Sequence, residues 1–378
     1  MKLALLLSSL VLLAAAARAE EPRHPTLRLG SPAPDFKLPG ADGKTHRLSD
    51  FRKAKILAVI FTCNHCPTAQ AYEERIKQLV TDYKSKGVAV VAINPNSPAG
   101  VRLDEFGYTD LDDTLASMKI RAKHRQFNFP YLDDGPTEAV SKRYGPVATP
   151  HVFIFDAARN LRYQGRIDNN EREDLVKSHD TRNALDALLA GQEPRVAETK
   201  VFGCSTKWDD KAEANRRWME KVQKEPVTLS PANADALREL RANKSGKVRL
   251  VNFWATWCGP CVSEFDELVE TSLRFRHRDF EMVTVAAQFP DEQAKVLAFL
   301  QKHHASTRNL LFGETDKYKL IEAFDPDWSG ALPYTLLLGP GGEVLLRQTG
   351  GIDFLELRRK IVPALNQLTP WPGMSDAR

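Results

Sequence analysis

Apolar runs bounded by polar, turn-rich segments occur twice along the chain in the same order. In the first half, Ile56–Phe61 is an unbroken apolar run of strand length. Tyr72, Ile76, Leu79, Val80 and Tyr83 then recur at helical spacing, and 88–93 is a second buried strand. A long excursion from 94 to 129, with a helical stretch over 113–126, precedes another strand at 152–155. A turn at 156–160 leads to a short strand, and a helix over 180–190 ends at Gly191, a suitable C-cap. The second half repeats this plan. A helix near 232–242 precedes an apolar strand at 248–253, and Val262, Phe265, Leu268, Val269 and Leu273 mark the next helix. A strand at 282–286, a helix over 293–303, a hairpin of 334–338 with 344–348 around Gly339-Pro340-Gly341-Gly342, and a helix over 354–368 complete it.

Alternating βαβ units followed by hairpin and helix predict an α/β fold in each half, a central mixed sheet flanked by helices. The expected domains are 28–191 and 226–370. Between them lies a connector at 192–225, with a charged helix over 209–224.

Composition adds limits. At 378 residues, with 42% hydrophobic and 27% charged positions, the chain has room for two soluble globular domains. The net charge of +4 is spread out, with no dense Lys/Arg block among aromatics, so no nucleic-acid partner is expected. Residues 1–19 read as a secretory signal peptide: Lys2, an apolar centre, and Ala17-Arg18-Ala19 before Glu20. That run is short for a membrane span, and no cysteine in it could carry a lipid. The expectation is an exported, periplasmic protein, soluble after cleavage and without stable membrane insertion.

Five cysteines are too few for a disulfide scaffold in an exported chain of this size. Four form two CxxC pairs, Cys63-Asn64-His65-Cys66 and Cys258-Gly259-Pro260-Cys261, each set between an apolar strand and a predicted helix; Cys204 stands alone. A helix N-terminus favours thiolate over thiol. Disulfide exchange needs an attacking thiolate, a second thiol to resolve the mixed disulfide, and a docking surface. Cys258, exposed at the helix start, would attack, and Cys261, shielded one turn in, would resolve. The pairs lie too far apart for a zinc ribbon, and Pro67 and Val262 stand where c-type haem attachment needs His.

Trp257-Cys258-Gly259-Pro260-Cys261 resembles the thioredoxin active site. The opening from Gly30 to Phe61 is similar to the redoxin branch of that superfamily, which holds peroxiredoxins and TlpA-like reductases. The resemblance implies two tandem thioredoxin-like folds, a redoxin domain with CNHC and a TlpA-like domain with WCGPC. It implies that Pro150 and Pro333 are cis beside the cysteines, with Thr149 and Leu332 presenting backbone to a substrate, and that Trp257 and His65 line the same surface. Thioredoxins carry a buried Asp where this chain has Asn252. TlpA-like reductases carry a Glu where Glu264 stands, placed to accept a proton from Cys261; the alternative is an ordinary solvent-facing Glu. Asp266 replaces a usual Pro, which puts the helix shape in question. His65 matches the His of strongly oxidising CPHC sites, where it would stabilise a Cys63 thiolate; the alternative is an exposed His of little effect. Potentials typical of the two motif types differ by ~150 mV, ~7 kcal/mol for two electrons, which would drive electrons from CGPC to CNHC.

The implied activity is thiol-disulfide exchange with protein dithiols or disulfides and an upstream thiol donor or acceptor, with no cofactor. Two other activities remain. A peroxidase of the peroxiredoxin type needs P-x-x-x-[ST]-x-x-C, which neither Cys63 (with Ile56 and Ile60) nor Cys66 (with Val59 and Cys63) satisfies. Copper binding would use Cys63, Cys66 and His151. Cys204 would either resolve a disulfide at the first site or remain an unpaired connector thiol.

Overall fold

The computed structural model describes residues 24–371, so the leader lies outside the described residues. Each domain is built on one mixed sheet. In the first, the strands run in the order Tyr131–Asp133, Val88–Asn94, Ile56–Phe61, His151–Phe155, Leu161–Gly165. The first three are parallel and the last two antiparallel to their neighbours. The second domain runs Ser230–Ala232, Arg308–Phe312, Phe280–Ala286, Val248–Trp254, Tyr334–Leu338, Val344–Thr349, again parallel and then antiparallel. This is the expected α/β architecture, two thioredoxin-like folds in tandem.

The central strands are apolar throughout because both faces are covered. Ile56, Ala58 and Ile60 pack with Tyr72, Ile76, Leu79 and Tyr83 on one side of the first sheet. Leu57, Val59 and Phe61 pack with Phe36, Leu132 and Tyr144 on the other. In the second domain Leu250 and Trp254 face Phe265, Leu268, Leu357 and Ile361, while Val251 and Phe253 face Leu237, Leu240, Leu320 and Phe324. Truncating a filled position such as Phe253 to Ala is expected to cost about 3–5 kcal/mol.

Three features depart from the sequence pattern. Tyr131–Asp133, just after the first excursion, is too short to show alternation, and Arg308–Phe312 with helix Lys317–Phe324 completes the second insertion. The expected connector is no free tether. Its stretch from 197 to 209 lies along the first domain, Cys204–Ser205 pairing antiparallel with Ala148–Thr149, before helix Ala212–Val222. The domains also touch directly. Arg274 lies over the Phe106 ring (4.6 Å), His277 bonds Asp104 (2.9 Å) and Arg278 donates to the Gly107 carbonyl (2.7 Å). The C-terminal end of the CGPC helix Gly259–Phe275 therefore rests on the first domain's excursion.

Candidate functional site: two strand-to-helix cysteine turns

Strand Val248–Trp254 ends in a turn whose Thr256 N–H donates to Gln288 Oε1 at 2.7 Å. Cys258 then caps the helix, its Sγ accepting the Cys261 N–H at 3.4 Å, with Pro260 in the first turn, where proline costs no hydrogen bond. The two sulphurs form a disulfide of 2.04 Å with Cα atoms 5.3 Å apart. Cys258 is less open than its position implied, 7% exposed against 1% for Cys261, whereas Trp257 beside it is 64% exposed. Leu332–Pro333 is cis as expected, and Leu332 packs on the apolar cluster that contains both cysteines. Among the described residues no strand is paired to Leu332.

Glu264 is half-buried rather than solvent-facing. Burial pushes its carboxyl up from the ordinary value, against the pull of the Ile352 N–H, which donates to Oε2 at 3.0 Å, and of the Asn252 amide. Asn252 Nδ2 donates to Thr335 Oγ1 at 2.9 Å, which leaves Asn252 Oδ1 and Glu264 Oε1 buried without partners. Turning the amide over pairs Nδ2 with the carboxylate and Oδ1 with the threonine hydroxyl, satisfying both. Asp266 does not interrupt the helix, which runs unbroken; its carboxylate pairs with His303 at 2.6 Å.

The first domain uses the same frame with its cysteines displaced. Phe61 pairs with His151, directly after cis Pro150, and Phe253 pairs with Tyr334, directly after cis Pro333. An equal step along the chain leads from Phe61 to Cys66 and from Phe253 to Cys258, each the N-cap of its helix. One turn further lie Ala69 and Cys261. Cys66, not Cys63, therefore occupies the capping position, and Cys63 stands over Ala255. Pro67 sets this register: it takes the first helical position, where its missing N–H costs nothing, so the cap falls on Cys66.

Electrostatics follow that register. Cys66 Sγ accepts the Ala69 N–H (3.4 Å) and the Cys204 N–H (3.3 Å), and its thiol donates to the Thr149 carbonyl (3.3 Å). Burial opposes its ionisation, yet hydrogen bonds from the Cys204 and Cys63 thiols, the His65 charge and the Ala69 N–H hold it well below the usual thiol range. Cys63 is driven the opposite way, by burial first, then by Cys66 and the Asp113 charge; its Sγ is hydrogen-bonded to Thr149 Oγ1 at 3.2 Å. Of the two cysteines, Cys66 rather than Cys63 is the one these contacts favour as thiolate.

His65 is 2% exposed, so the exposed alternative does not hold, and a ring nitrogen lies within 4.8 Å of the Cys63 sulphur. Its Nδ1 meets Asp113 Oδ2 at 2.5 Å. Burial works against its charge, but Asp113 outweighs it and raises the imidazole; Asp113, despite its own burial, is held low by His65 and Asn96. Asp113 also accepts the Asn64 and His65 N–H groups (2.8 and 3.0 Å) and Asn96 Nδ2 (2.9 Å), the place Gln288 takes in the second domain. Nothing in the sequence around the cysteines signalled Asp113, which arrives from the excursion. Donor atoms of Cys63, His65 and Asp113 lie within 4.8 Å of one another; Asp113 holds His65 Nδ1, while His65 Nε2 is buried without a hydrogen-bond partner. The copper set with His151 is not assembled: His151 Nδ1 accepts the Val147 N–H (3.3 Å) and Nε2 meets Gln164 (3.2 Å). Burial depresses its pKa to about 4.

Residues 29–164 match the AhpC/TSA family and residues 226–344 the Redoxin family. The thiol:disulfide interchange protein HelX of Rhodobacter capsulatus is 29% identical over 140 residues, which span 37% of this chain and 73% of HelX. The thiol-disulfide oxidoreductase ResA of Bacillus subtilis is 30% identical over 105 residues, 28% of this chain and 54% of ResA. Of ResA, then, the chain spans only about half. A solved structure of a hypothetical protein from Sinorhizobium meliloti 1021 is 34% identical, with a TM-score of 0.43, covering 49% of this chain and 96% of that one. The chain carries two redoxin/AhpC-TSA domains in tandem.

Proposed function

We propose that the protein is an exported, periplasmic thiol-disulfide oxidoreductase whose second domain is a reductase of protein disulfides. One observation carries this reading: Cys258 caps a helix, is bonded to Cys261, and lies beside cis Leu332–Pro333 with Trp257 exposed. HelX and ResA bear names of the same chemistry. Export rests on the leader at 1–19, and among the described residues no helix is long and apolar enough to cross a membrane.

In the reduced state the Cys261 N–H and the helix N-terminus favour thiolate at Cys258. A partner's extended segment pairs with the Leu332 backbone, and Cys258 attacks one sulphur of its disulfide, expelling the other as thiolate. Cys261 gives its proton to Glu264 and attacks Cys258 Sγ, releasing the partner's second thiolate and leaving the Cys258–Cys261 disulfide. An upstream thiol donor then restores both thiols.

In the first domain Cys66 takes the nucleophile's place. We propose that electrons pass from CGPC to CNHC. The CGPC pair sits at the end of its helix away from the domain contact at Arg274, ~24 Å along the axis at 1.5 Å per residue, so transfer requires the domains to part or a shared thiol partner. Redox titration of the full chain carrying one intact pair at a time tests this; equal potentials remove the relay. The AhpC/TSA match favours a second reading for the first domain, thiol-dependent peroxide reduction at Cys66, which peroxide-consumption assays accept or reject.

Insulin-disulfide reduction by Cys258→Ala and Cys66→Ala tests the main reading. No loss in either variant overturns it.

A further inference from the structure

The edge at which the first domain would receive a substrate is already taken by its own chain. Cys204 pairs in antiparallel register with Thr149, the residue before cis Pro150, and Ser205 pairs with Ala148. The next residues extend the dock. The Thr206 N–H donates to the Val147 carbonyl (3.2 Å), the Lys207 N–H to Asn96 Oδ1 (2.9 Å) and the Ser97 N–H to the Lys207 carbonyl (2.8 Å). Gly203, at φ +130°, lets the strand press in: a Cβ there would lie 2.1 Å from the Thr149 oxygen. Only glycine fits both the angle and the approach.

This places three thiols together. Cys63, Cys66 and Cys204 form one apolar cluster, and Cys66 is engaged by both other thiols and by the Cys204 N–H. Cys66 and Cys63 are sealed, while Cys204 is partly open. The position one turn after the nucleophile, which holds the resolving cysteine in the second domain, is Ala69 here. Cys63 lies before the cap, tied to Thr149 Oγ1 and held neutral.

We propose that Cys204 is the resolving thiol of the first domain, delivered by residues 203–206 acting as an internal substrate strand, so that the working disulfide is Cys66–Cys204. The proposal rests on the reading of this domain as a disulfide-exchange site. An external disulfide R–S–S–R′ enters when the connector strand lifts from Thr149. The Cys66 thiolate attacks, forming Cys66–S–S–R and expelling R′–S⁻. The strand returns, Cys204 loses its proton and attacks Cys66 Sγ, and R–S⁻ leaves. The partner gains two electrons and becomes two thiols by taking one proton from Cys204 and one from water; the Cys66 thiolate and the Cys204 thiol together lose two electrons and one proton. A partner strand and the connector strand compete for one edge, so docking of the connector both closes the site and completes the reaction.

The test uses the full chain with Cys258→Ser and Cys261→Ser, so that only the three thiols of the first site report. The reduced protein receives one equivalent of glutathione disulfide, is quenched in acid, and its disulfides are mapped by mass spectrometry. The expected product is a Cys66–Cys204 linked peptide. With Cys204→Ser added, the Cys66–glutathione adduct should persist about tenfold longer or more, because the resolving thiolate is gone. Gly203→Val, which displaces the strand without removing a thiol, should speed alkylation of Cys66 by about tenfold by uncovering it. A Cys63–Cys66 linked peptide as the main product, with an unchanged adduct lifetime in Cys204→Ser, overturns the proposal while leaving disulfide exchange standing. Failure of Cys66 to take up glutathione in any of these proteins overturns the exchange reading itself, and this proposal with it.

Discussion

The two cysteine turns share a strand, a cap and a cis proline, yet they treat the same positions in opposite ways. Before the capping cysteine the second domain has Trp257, largely exposed, and the first has His65, buried and paired with Asp113. One turn after it stand Cys261 and Ala69. The turn is anchored by neutral Gln288 in one case and by charged Asp113 in the other. The docking edge at Leu332 is unpaired among the described strands, whereas that at Thr149 is covered by Cys204. The frame supplies a helix N-terminus and a backbone edge; the side chains around it decide whether the site stands open to partners or is closed by its own chain.

The largest expected effect falls on the open site. Cys258→Ser should lower insulin-disulfide reduction by about a thousandfold or more, since no other sulphur can take the cap. Cys66→Ser, assayed alongside, should lose far less, because the closed site contributes little to reduction of a bulky substrate. Equal losses would erase the asymmetry.

Next in size is the charged anchor. Asp113→Asn leaves His65 buried without its counter-charge and is expected to cost the first domain about 3–5 kcal/mol in denaturant unfolding. The pair also makes stability depend on pH. Asp113 is held below its ordinary value of 3.8, so its contribution is present above that value and lost as acid titrates it. His65 is held above its ordinary 6.5, so its contribution is present below that value and lost as pH rises through the raised value. The first domain should be most stable between these limits and Asp113→Asn should flatten both sides; unchanged flanks would mean that the pair is not ionised. Gln288 does not titrate, so its turn should show no counterpart.

Glu264 sharpens the comparison from the other side, because the first domain has no carboxylate in its place. Glu264→Gln should slow release of the partner's second thiol by roughly tenfold, water replacing the carboxylate in part. The loss should show in kcat rather than KM and should remove a pH step lying above the ordinary carboxylate value, as its burial requires. A pure rise in KM would instead assign Glu264 a packing role.

Much of this was legible in the chain itself. Strands covered on both faces, such as Ile56–Phe61, are continuous apolar runs, and the WCGPC turn lies in local sequence, while the cis prolines follow from the resemblance that the turn carries. What was not legible depends on residues far apart. Asp113 reaches His65 from an excursion whose sequence shows only a helix, and Cys204 reaches Cys66 through strand pairing that two residues cannot announce. The CNHC register is hidden for a related reason. A CxxC pair looks the same whichever cysteine caps the helix, and only Pro67 at the first helical position marks Cys66 as the cap.

The smallest effect tests the most local difference, the residue before the cap. Trp257 offers a large, rigid, amphipathic face beside Cys258, and its exposure is relieved only when a partner covers it. Trp257→Ala should weaken docking by about 1 kcal/mol, a roughly fivefold rise in KM for a protein disulfide, with kcat and the Cys258 thiol pKa unmoved. At the same place His65 works through charge on Cys66 rather than through contact with a partner. His65→Ala should therefore raise the Cys66 pKa and leave partner affinity alone. If Trp257→Ala moved the thiol pKa and His65→Ala moved KM, the division of labour drawn between the two turns would be reversed.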